Sequence, residues 1–145
     1  MLHLLRCSPS VSHPALLDFD RLLRLAVERI TNSSLTDTQW LQASLPIKDG
    51  GLGVRRVSSV ALPAFLASLQ AEVLADCDVP EDPYWKEYLE LWSASGNDIP
   101  EPLPLKRSSW DRPGIEKDQT SIKSGLTTTL QRASFNVATS RHSGD

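Results

Sequence analysis

The sequence is short of the residues that most often announce a chemistry. Only two cysteines are present, Cys7 and Cys77. They lie far apart and no C-x-x-C occurs, which excludes a disulfide framework. A reducing, intracellular compartment, cytoplasmic or nuclear, is the expectation, with both thiols as small buried apolar groups. Histidines number three. His3 and Cys7 would share a helix face, but two ligands do not hold a metal, so no metal site is expected. His13 reads as a helix-start residue rather than a base, and no Ser/His/Asp or Cys/His order has supporting local motifs. No apolar run approaches the roughly 20 residues of a membrane span. The opening Met1-Leu2-His3-Leu4-Leu5-Arg6 lacks the basic start and apolar core of a signal peptide. Alternation at period two is missing, which argues against a substantial sheet. Neither G-x-x-x-x-G-K-S/T nor G-x-G-x-x-G after a strand occurs, so no nucleotide or other cofactor is expected.

Excess positive charge is absent as well. The formal net charge is −3, where a dedicated nucleic-acid binder is usually basic. The balance is uneven: residues 1–60 carry seven Lys/Arg against five Asp/Glu, and the remainder eight against thirteen. Phosphate contact therefore belongs more naturally to the first part.

What is present is enough apolar content for one ordinary domain, 40% over 145 residues, in helical spacing. Ser12 or His13 caps a helix that has Pro14 at its first position and ends near Ile30. Leu16, Phe19, Leu22/Leu23, Ala26 and Ile30 form its apolar stripe. Asp18 and Asp20 complement the dipole at its start, and Arg29 at its end. Thr36, with Gln39 three residues on, opens a short helix over Asp37–Leu45 as a capping box. Ser58 or Ser59 opens a third, to about Leu74, with Pro63 in its first turns. It has a small-residue face (Val60, Ala64, Ala67, Ala71) and a bulky one (Leu62, Phe65, Leu66, Leu69). An acidic connection, 76–82, leads to a fourth helix from Pro83 to about Ser93. There Trp85, Tyr88, Leu89 and Trp92 recur as a core face. The acidic residues nearby, including Glu87 and Glu90, argue against base stacking. Prolines mark 96–104 as a linker. Trp110-Asp111-Arg112-Pro113 opens a fifth helix that Ser124-Gly125 interrupts. Leu126, Leu130, Ala133 and Val137 suggest one more before a fraying tail.

The stretch that organises this pattern is Leu45-Pro46-Ile47-Lys48-Asp49-Gly50-Gly51-Leu52-Gly53-Val54. Pro46 stops the incoming helix, and Asp49-Gly50-Gly51 is turn chemistry that glycine's access to positive φ permits. Leu52 and Val54 are expected to return to the core. Pro46, Asp49, Gly50, Gly51 and Gly53 thus set an elbow between two helices. Lys48, Arg55 and Arg56 flank it. They form either a solvated basic face or, next to a helix N-terminus, a corner that attracts phosphate. The carboxylate pairs Asp18/Asp20 and Asp76/Asp78 do not converge as two-metal catalysis requires.

Pro46–Gly53 resembles the P-x-K-D-G-G-L-G elbow just past the polymerase core of non-LTR (LINE-like) retrotransposon reverse transcriptases. The flanks agree: Leu4-Leu5-Arg6 with Ser8-Pro9, His13–Leu16, Trp40 through Pro46, and Arg55–Ser68. Trp110–Pro113 and His142–Asp145 are similar to later landmarks. The resemblance is dense in the first half and sparse after it. The helical spacing gives an all-α chain: a compact three-helix unit over 1–75, a linking acidic and aromatic helix with its Pro-rich linker over 76–105, and a weakly helical, partly disordered tail over 106–145; the resemblance marks the first unit as thumb-like. It implies a non-catalytic fragment, with Met1 an internal methionine, of an RNA-directed DNA polymerase whose paired-aspartate palm lies elsewhere. Expected partners are an RNA–DNA or DNA duplex, held through phosphates by Lys48, Arg55 and Arg56, and the parent's palm domain, with no membrane. The rival reading is a helical protein-interaction module, or a degenerate element without function.

Overall fold

In the computed structural model, which describes residues 2–75, 83–101 and 103–141, the chain is all-α. The helices are α1 (Leu2–Cys7), α2 (Pro14–Thr31), α3 (Asp37–Ser44), α4 (Val57–Ala75), α5 (Pro83–Ala94) and α6 (Arg107–Arg141). No strand occurs among the described residues. The expectations for Asp76, Cys77 and Asp78, for the rest of 76–82, and for 142–145 lie outside them.

Local chemistry sets the ends. Of the two candidate caps for α2, His13 is the one used: its Nδ1 accepts from the Ala15 N–H at 3.2 Å, and Pro14 follows as first helical residue. Asn32 closes α2 in the left-handed region at φ 49°, with Ser33 N–H returning to Glu28 O. The capping box of α3 is complete: Gln39 N–H donates to Thr36 Oγ1, and Thr36 N–H donates to Gln39 Oε1.

Two compact units form, each from separated stretches: residues 1–33 with 55–115, and residues 34–54 with 116–145. In the first, α4 is the central helix and is buried along both faces, as its near-continuous apolar sequence requires. Val57, Val60, Ala61 and Ala64 pack with Leu5 of α1 and with Leu16 and Phe19 of α2. Phe65, Leu66, Ala67 and Leu69 pack with Tyr88 and Trp92 of α5 and Trp110 of α6. The expected core face of α5 holds: Tyr88 and Trp92 are buried, and half-buried Trp85 and Leu89 pack against the same cluster. Trp110 has no exposed surface; its indole N–H reaches Pro104 O at 2.7 Å, and its ring meets Trp92 edge-on at 5.2 Å.

Several expectations are corrected. The inward stripe of α2 is Leu16, Phe19, Asp20, Leu23 and Val27; Leu22, Ala26 and Ile30 are exposed. Cys7 is exposed, because its place on α1 lies off the face that buries Leu5. Leu52 does not return to the core and stays exposed.

The two helices expected after residue 110 are one, α6. Gly125, in the second unit, does not break it. A Cβ there would lie 2.9 Å from Thr38 Oγ1, so glycine serves close approach to α3. The hydroxyls of Thr120, Ser121, Ser124, Thr127, Thr128 and Thr129 each donate to the carbonyl four residues back. A run that reads as loop composition is thereby satisfied within the helix.

Candidate nucleic-acid interface

The elbow lies wholly in the second unit. After α3 the chain makes a single 3₁₀ turn over Ile47–Asp49, with Pro46 O accepting from Asp49 N–H at 2.9 Å and from Gly51 N–H at 3.0 Å. It then folds back on the end of α3. Leu52 N–H donates to Ala43 O at 3.1 Å, and Gly53 N–H to Leu45 O at 2.9 Å. Those carbonyls would otherwise be among the orphans of a helix C-terminus. Gln42 Nε2 fastens the turn by donating to Gly50 O.

The three glycines are needed for two different reasons. Gly50 and Gly53 take φ of 85° and 75°, where other residues are strained. Gly51 has no positive φ. A Cβ on it would fall 2.0 Å from Leu45 O, so the backbones meet where a side chain would have to be. Positive φ is the reason the turn dipeptides give for Gly50 and Gly51, and Gly51 departs from it.

Of the three cations, Lys48 is exposed on the 3₁₀ turn, and Arg55 and Arg56 are half-buried. Arg55 Nη2 donates to Asp111 Oδ1 at 2.7 Å, and Arg107 Nη1 stands 3.7 Å from Oδ2 of the same carboxylate. The Asp111 side chain is 7% exposed and that of Arg55 22%, so this is a sheltered brace between the start of α4 and the start of α6. The backbone carbonyl of Arg56 accepts from Ser59 Oγ at 2.9 Å.

The α4 N-terminus, expected to favour an external anion, already holds an internal one. Asp20 of α2 is buried, and its carboxylate accepts from Val57 N–H at 2.6 Å, from Ser58 N–H at 3.1 Å and from the Ser58 hydroxyl. Asp20 thus complements the dipole of α4 rather than that of its own helix. Sequence reasoning names Asp20 and Asp111 but misses what they hold, the α4 N-terminus and Arg55. The available signal was position: Asp20 falls on the stripe Leu16–Asp20–Leu23–Val27, where an unpaired charge would be expensive.

Among the described residues no group of three His, Cys, Asp or Glu could hold a metal, and no helix is long and apolar enough to cross a membrane. His3 and Cys7 do approach, with Sγ 3.8 Å from Nε2. No protein-family model, curated protein or solved structure matches the chain.

Proposed function

We propose that this chain is a non-catalytic, thumb-like segment of a LINE-like reverse transcriptase that holds a template–primer duplex by its phosphates. The polymerase active site would be supplied by a palm domain elsewhere in the parent. The observation carrying the proposal is the elbow: Gly50, Gly51 and Gly53, which carry the resemblance, each stand where a side chain is strained or excluded. Lys48 is the leading phosphate contact because it is exposed, and Arg56 is the second. Arg55 is retained chiefly as the brace to Asp111, so its truncation is a poor test of binding.

The test is duplex affinity against salt. An RNA–DNA hybrid and a DNA duplex of the same sequence should bind at about 50 mM salt and lose at least about tenfold in affinity by about 200 mM. Lys48→Ala should flatten the log–log salt slope by about one for either duplex, without changing sequence preference. Absence of binding at low salt, or affinity indifferent to salt, would overturn the proposal.

The second reading, a helical protein-interaction module, is favoured by one observation: Leu22 and Leu25 stand 65% and 55% exposed on a well-formed helix.

A further inference from the structure

We propose that the outer face of α2 pairs two copies of this chain, antiparallel, about a two-fold axis near Leu23 and Arg24. The inference is independent of the duplex-binding reading. Asp18, Leu22, Leu25 and Arg29 follow one another at spacings of four, three and four, which places them in a single stripe on the helix. All four are exposed, and the stripe lies opposite the one that packs toward α4. Ala15 continues it and is small and exposed.

The order of chemistry along this stripe is acid, leucine, leucine, base. Reversed, it reads base, leucine, leucine, acid, so the stripe is complementary to its own antiparallel copy. Laid against a second α2, Leu22 meets the partner's Leu25 and Leu25 the partner's Leu22. Asp18 meets the partner's Arg29 at one end, and Arg29 the partner's Asp18 at the other. This is the layer pattern of an antiparallel coiled-coil seam, and the contact is isologous, so it closes at two copies. In parallel pairing, Asp18 would face Asp18 and Arg29 would face Arg29, which like-charge repulsion disfavours.

The present partner of Asp18 is no obstacle. Arg21 reaches it at 3.2 Å with both side chains largely exposed, the kind of surface pair that contributes little. The seam is short, well below a standard interface, so the dimer is weak, with Kd on the order of 100 µM.

Sedimentation velocity from about 10 µM to about 500 µM at low salt tests this. The expected result is a reversible monomer–dimer equilibrium. Leu22→Glu should weaken it at least tenfold, with the circular dichroism spectrum and melting temperature of the monomer unchanged because Leu22 is solvent-facing. Asp18→Arg alone and Arg29→Asp alone should each weaken it severalfold. Asp18→Arg with Arg29→Asp should restore it to within about threefold, since the reversed order is again self-complementary. A chain that stays monomeric throughout the range, or a dimer indifferent to Leu22→Glu, overturns the proposal. So does a double charge swap no better than either single one.

Discussion

At the scale of single residues, glycines with the same side chain do opposite work. Gly51 is held against Leu45 O by close backbone approach, whereas Gly114 sits inside α6 with nothing within 4 Å of where a Cβ would be. Gly51→Ala should lower stability by about 2 kcal/mol or more while far-ultraviolet helicity persists. Gly114→Ala should raise it by roughly 0.5–1 kcal/mol, the ordinary gain from replacing glycine inside a helix. Thermal and urea melts of the two variants check both signs. Tyr88 gives a prediction in pH. Burial pushes its phenol above the ordinary value of 10.0, and Glu87 and Tyr84 push the same way. The folded state therefore favours the neutral phenol. Its contribution is intact below about pH 10 and is lost as pH rises through the folded value. From about pH 10 up through that folded value, melting temperature should fall more steeply in the parent than in Tyr88→Phe, which keeps the ring packed on Phe65 at 4.8 Å.

At the scale of elements, the start of α4 is the joint to test. Its first N–H groups are satisfied from α2 by the buried carboxylate of Asp20. Asp20→Ala should cost about 2–4 kcal/mol, combining loss of a cap with unsatisfied buried donors. Asp20→Asn should cost less, since its amide oxygen still accepts. Chemical denaturation measures both. Much of the helical plan was legible in the residues: Pro14 behind His13 and the Thr36/Gln39 box work through neighbours within four positions, and the α5 aromatics mark their core face by recurring at that spacing. What was not legible is long-range. Asp20 meets Val57 across 37 positions and Arg55 meets Asp111 across 56, distances at which periodicity carries no information. The length of α6 was hidden for a different reason: a serine/threonine run and a glycine resemble a loop until their i−4 carbonyls and Thr38 are in view.

At the scale of the whole molecule, the distribution of charge now has a structural account in part. Arg55 answers Asp111 inside the first unit, leaving Lys48 as the exposed cation of the elbow. The candidate site is thus only half of what the sequence pattern suggested. The elbow geometry was readable from Pro46 and the glycines, while the fate of Arg55 depended on Asp111 of α6.

Each unit is stitched from two lengths of chain that are not neighbours in sequence. No single scissile bond can therefore release either one whole: a cut near Val54 divides the second from its own helix, and a cut near Ile115 does the same from the other side. Expression of residues 1–75 alone would carry the elbow away from the stretch of α6 that Gly125 brings to Thr38.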